Sequence, residues 1–147
     1  MYSLELVSYT ISFVLVTLIG VYGINLPGLI TGEQGLVDQY YNLNWKFFIP
    51  FDYFLIMFYL LAAFYISKII GVKSRIQYLL VILGTTIVIS GGFMLYFTNS
   101  PITSSFFSQW FHRAGFKAVI YDLVLLTLIY LVYAGVMSLI KMSNYKK

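Results

Sequence analysis

Four uninterrupted apolar runs decide what this chain can become. They cover about 4–24, 48–72, 76–97 and 117–140. A helix that crosses a bilayer needs roughly 20 mostly apolar residues, because the hydrocarbon core is about 30 Å thick. Each run meets that length. Barrel strands would show short alternating segments instead. Only 10% of the 147 residues are charged, against roughly 25% in a soluble domain. No part of the chain could therefore clothe a separate domain in water. The expected fold is all-α and polytopic. One membrane domain spans 1–147, with four transmembrane helices and two short interfacial amphipathic helices at about 32–43 and 104–114. The first run carries Glu5 and has no Lys or Arg before it, so it reads as a retained span rather than a signal peptide.

An even number of spans puts both termini on one side, together with the short turn at 73–75. That side holds Lys68, Lys73, Arg75, Lys141, Lys146 and Lys147, and the other holds Lys46, Arg113 and Lys117. Basic residues accumulate on the cytoplasmic side of membrane proteins, so both termini are expected there. These few cations lie beside spans, where anionic headgroups account for them, and no nucleic-acid partner is expected.

The chain has no cysteine and one histidine, His112. That removes disulfides, thiol catalysis, thiolate metal sites and a bis-histidine haem. Phosphate-binding glycine loops and metalloprotease or serine-nucleophile motifs are missing as well. The expectation is a protein that is not an enzyme and has no cofactor or metal.

Both long loops carry structure in their spacing. Phe106, Phe107, Trp110, Phe111 and Ala114 fall on one helical stripe, with Thr103 to Ser105 able to start the helix and Gly115 able to end it. In the first loop Leu36, Val37, Tyr40 and Tyr41 repeat the pattern, and Thr31–Gln34 has the form of a capping box. Both segments are expected to lie in the interface with aromatics toward lipid, and Trp45, Trp110, Phe106, Phe107 and Phe111 are the expected anchors. The alternative is an aromatic face packed on protein. The halves share a plan: a Pro after the odd span, an amphipathic piece, a Trp, a Lys, then Asp52 or Asp122.

Small residues mark expected helix contacts: Gly84, Ser90, Gly91 and Gly92 in the third span, Ala134 and Ser138 in the fourth. Asp122 falls in the second turn of the last span, where a charge is costly and needs a partner. Arg113, Lys117, Lys46 and His112 share its side, so a structural ion pair is expected there, with a proton or cation site as the alternative. Asp52, close behind Pro50, reads as a first-turn acid at the positive helix end and a further ion-pair candidate.

The segment Ser104–Ile140 carries an aromatic helix before a Lys-x-x-x-Tyr-Asp start to the last span, at Lys117, Tyr121 and Asp122. It resembles small multi-span membrane proteins of large nucleocytoplasmic DNA viruses. That resemblance implies a component of a virion internal membrane, or a membrane protein tied to capsid proteins. The functional expectation is a structural or scaffolding membrane protein of a larger assembly, in contact with lipids and other proteins and open to oligomerisation. Two alternatives stand beside it: a lipid or small-molecule binder using a polar site near Asp122, and an accessory subunit of an energy-transducing membrane complex.

Overall fold

In the computed structural model, residues 2–144 are described. The protein is all-α, and four helices are long and apolar enough to cross a membrane: Leu4–Gly23, Trp45–Ile69, Arg75–Thr98 and Phe116–Ser143. In chain order the α-helices are α1 (Tyr2–Val16), α2 (Leu26–Thr31), α3 (Gln34–Val37), α4 (Trp45–Ile69), α5 (Arg75–Thr98), α6 (Phe106–Ala114) and α7 (Phe116–Asn144). Wider π-helical turns continue α1 through Thr17–Gly23 and α3 through Asp38–Leu43.

The spans pack in the order α1, α7, α5, α4, each against the next. The circuit closes between α4 and α1 through side chains. The Tyr9 hydroxyl donates to the Tyr53 carbonyl at 2.5 Å, and the rings of Tyr9 and Phe13 lie 5.0 and 5.3 Å from that of Tyr53. Helix α5 starts on a capping box: the Ser74 hydroxyl accepts the Gln77 amide, and the Gln77 side chain accepts the Ser74 amide. Satisfying those amides fixes the tight turn between α4 and α5.

The small residues of α5 do not form the expected close-packed seam. Ser90 is fully buried, but Gly84 and Gly92 are exposed and Gly91 is half-buried. A Cβ built on any of the three glycines would meet nothing within 4 Å. They face outward, where no neighbouring backbone arrives. On α7, Ala134 and Ser138 are half-buried, and Ser138 accepts a hydrogen bond from the Arg75 guanidinium at 2.9 Å.

The two long loops fold back over one end of the bundle. Helix α6 starts at Ser105, whose hydroxyl accepts the Ser108 amide at 3.2 Å, and ends at Gly115, where φ is +54°. That value favours glycine because it lacks the Cβ that would clash. The capping box expected at Thr31 does not form. Thr31 instead belongs to the end of α2, where its hydroxyl donates to the Pro27 carbonyl at 2.7 Å, and α3 starts at Glu33 with no side-chain cap.

The loop segments depart most from expectation in what they face. Trp110, Phe111 and Ala114 of α6 are buried, as are Leu36, Val37, Tyr40 and Tyr41 of the first loop. The Phe111 ring stacks on Phe97 of α5 at 5.7 Å, and Trp110 meets Tyr121 of α7 edge-on at 6.2 Å. Phe106 and Phe107 are half-buried, packed on Tyr40, Phe48 and Phe51. The aromatic stripes therefore seal the bundle rather than lie on lipid, so Phe106, Phe107, Trp110 and Phe111 are core contacts. Trp45, by contrast, is 51% exposed.

Candidate functional site

Under this cap lies a cavity of about 160 Å³, bounded by the first loop, α4, α5, α6 and α7. Its walls are largely aromatic: Phe51, Tyr59, Phe93, Phe97, Phe107 and Trp110 all contribute. Two carboxyl groups line it, Asp52 from α4 and Asp122 from α7.

Asp52 reaches this position because α4 begins at Trp45, well before the Pro50 that suggested the helix start. The missing amide of Pro50 leaves one backbone carbonyl without its usual intrahelical donor, yet the helix continues through it. Asp52 is therefore not a first-turn acid but an interior one, 9% exposed. The first loop supplies its partners. The Tyr40 hydroxyl donates to Asp52 Oδ1 at 2.5 Å, and the Tyr41 hydroxyl donates to Oδ2 at 3.1 Å. The Tyr41 hydroxyl also pairs with that of Tyr121 at 2.7 Å, which joins the first loop to α7. The Tyr22 hydroxyl donates to the Tyr41 carbonyl at 2.7 Å, anchoring the same residue to the end of the first span. Burial pushes the phenols of Tyr40 and Tyr41 above their usual value near 10, and the adjacent Asp52 carboxyl pushes them the same way.

Asp122 accepts a hydrogen bond from the Ser90 hydroxyl on α5, at 2.5 Å to Oδ2. No hydrogen bond reaches its other oxygen from the described residues, and the side chain is half-buried against the cavity it lines. The expected ion pairs to Asp122 and Asp52 do not form. The one ion pair among the described residues joins Arg113 to Glu33 at 2.6 Å, tying α6 to the first loop. Lys46 lies over the Trp45 ring, 5.9 Å from its centroid, and Lys117 is exposed. Long cationic side chains at a helix end reach water more cheaply than they enter an apolar cavity. His112 contacts the Ser108 carbonyl through Nδ1 at 2.7 Å and takes no part in the cavity.

The sequence brought Asp122 and Asp52 forward but missed Tyr40 and Tyr41, whose hydroxyls serve Asp52. The adjacent pair Tyr40–Tyr41 on an otherwise apolar stripe was the available signal. Hydroxyls on a buried stripe need polar partners, and Asp52 is the partner both share. Among the described residues no cluster of three or more His, Cys, Asp or Glu could hold a metal.

Two carboxyl groups in an aromatic box, with no Lys or Arg among the described residues that line it, make a site complementary to a small cation. The carboxyls draw positive charge and N–H donors, while aromatic faces attract cations through their quadrupole. A cavity of about 150 Å³ holds a benzene-sized molecule, and this one has that capacity. The exposed Phe51 and Phe93 form its outward wall, and Asp52 and Tyr121 lie buried at its inner side. Set against known proteins, the chain matches no family model, no curated sequence and no solved structure.

Proposed function

We propose that this membrane protein binds a small organic amine, its apolar body held by the aromatic walls and its ammonium group directed at Asp122. The observation that supports the reading most is Asp122, a carboxyl group within a span that has one hydrogen-bond donor among the described residues and lines a ring-sized aromatic cavity. A bundle with a purely structural role gains nothing from that arrangement, because apolar residues would pack the same space without the cost of desolvating a carboxyl group. The binder reading therefore takes precedence over the scaffolding one.

Benzylamine is a suitable probe, since it has a benzene-sized body and one ammonium group. It is expected to raise the melting temperature of the detergent-solubilised protein, whereas toluene at equal concentration raises it much less. A ligand at a hundred times its Kd stabilises the state it binds by about 2.7 kcal/mol. Asp122→Asn should abolish most of the benzylamine shift and leave the small toluene shift in place. Equal shifts with benzylamine and toluene, or an undiminished shift in Asp122→Asn, would defeat the amine reading.

The same proposal places the cavity at the membrane face opposite both termini, which the excess of basic residues assigns to the cytoplasm. Single cysteines introduced at Ser143 and Gln39 in this cysteine-free chain should react with an impermeant thiol reagent from opposite sides, Ser143→Cys from the cytoplasm. The reverse pattern would invert the orientation.

A further inference from the structure

The other end of the bundle contains a second, larger space. Helices α1 and α4 meet at Tyr9 and Tyr53, and beyond that contact a cleft of about 1,410 Å³ opens between α1, α4, α5 and α7. Its walls are apolar and aromatic, with Leu60, Leu61, Phe64 and Met137 among them. Lys68, Lys73, Arg75 and Lys141 also line it, and all four are exposed. Glu5 is the one acid among its lining residues. None of these four cations forms an ion pair with the described residues.

One further feature marks a binding cleft rather than a gap in packing. Arg75 is fixed across α5 and α7, donating to Ser138 Oγ at 2.9 Å, while its own carbonyl accepts the Tyr130 hydroxyl at 3.4 Å.

We infer that this cleft holds an anionic glycerophospholipid drawn from the adjoining leaflet. Its acyl chains lie along the apolar walls of α1 and α4, and its negatively charged headgroup meets Lys68, Lys73, Arg75 and Lys141. Charge complementarity selects this occupant. Four cations against one carboxylate leave a surplus of three (4 − 1) at the mouth, whereas a zwitterionic headgroup would leave that surplus uncompensated. An apolar wall ending in a basic rim at the headgroup level is the arrangement that holds an anionic lipid between transmembrane helices.

Native mass spectrometry of the detergent-solubilised full chain, titrated with dioleoylphosphatidylglycerol or dioleoylphosphatidylcholine, tests this. The phosphatidylglycerol adduct is expected to survive activation at energies that strip phosphatidylcholine. The triple variant Lys68→Gln, Lys73→Gln, Lys141→Gln should weaken phosphatidylglycerol binding about a hundredfold, the product of three lysines at the strength typical of anionic bilayers. Ala134→Phe fills the cleft without touching a charge and should weaken binding by about tenfold or more, the scale of losing one aromatic-sized apolar contact. Equal retention of the two lipids overturns the inference. So does an intact adduct in Ala134→Phe, which would place the lipid on the basic surface outside the cleft. Inorganic phosphate competing as well as phosphatidylglycerol would identify a free-anion site instead. If the triple variant does not fold, the comparison of lipids on the parent chain and Ala134→Phe still decides the matter.

Discussion

Trp110→Ala is expected to lower the unfolding free energy of the whole bundle in detergent by about 3–5 kcal/mol, the range for removing a buried large aromatic. Trp110 is 7% exposed. It stacks on Phe106 at 5.7 Å and meets Tyr121 edge-on at 6.2 Å, so its removal opens a void directly against α7. A helix resting on lipid would behave differently: losing its anchor would free the loop and leave the spans intact, because each span satisfies its own backbone hydrogen bonds. Equilibrium unfolding followed by far-ultraviolet circular dichroism, with limited proteolysis across Thr103–Lys117, separates the two cases. Trp45→Ala is the control. Trp45 is exposed, and a surface substitution of that kind shifts stability by about 0.5 kcal/mol or less. A Trp110→Ala protein whose loop is cleaved while its spans melt as in the parent would return α6 to the interface.

The second large effect lies beneath it. Asp52→Leu keeps the approximate size of the side chain but removes the acceptor shared by the Tyr40 and Tyr41 hydroxyls. Stranding a buried hydroxyl costs about 1–3 kcal/mol. Tyr40 loses its sole side-chain partner among the described residues, while Tyr41 keeps Tyr121, so most of the loss should trace to Tyr40. Tyr40→Phe in the Asp52→Leu background should then recover part of the stability, a non-additivity that a double-mutant cycle measures. Strict additivity would mean that the hydroxyl and the carboxyl are not coupled.

The same network fixes an alkaline limit. Both phenols ionise above their ordinary value in the folded chain, so above about pH 10 the unfolded state has lost protons that the folded state still holds. Stability is complete below that pH and falls as pH rises toward the folded values, by up to about 1.4 kcal/mol per pH unit for each tyrosine. Tyr40→Phe should flatten that decline, read from melts at pH 9, 10 and 11. A Tyr40→Phe protein with the parent's slope would show that another group sets it.

The spans were legible in the sequence because bilayer thickness fixes their length, whatever they pack against. The stripes at 36–41 and 106–114 were legible too, since helical periodicity puts Leu36, Val37, Tyr40 and Tyr41, or Phe106, Phe107, Trp110 and Phe111, on one face. What the faces touch was not legible: at a membrane surface, lipid and protein core are equally apolar, and only tertiary contacts distinguish them. Asp52 was misplaced for a local reason, as Pro50 marks helix starts so often that its presence inside α4 went against the better guess. Gly84, Gly91 and Gly92 misled because a small residue permits a close approach without causing one. Asp122 was recognised as costly, and the cost is met by Ser90 and a cavity rather than a cation.

The hydrogen bonds to the two acids also bear on how the chain enters a bilayer. Asp52 draws its donors from Tyr40 and Tyr41, a few turns earlier in the chain, and Asp122 draws its donor from Ser90 on the span just before it. Neither carboxyl depends on the other half of the molecule. The first hairpin therefore holds within itself the donors to both oxygens of its acid, and the second holds the one donor that Asp122 has among the described residues. The Tyr41–Tyr121 pair crosses between them. It is a seam between them, and the cavity, lined from both, is a product of their assembly rather than a property of either hairpin alone.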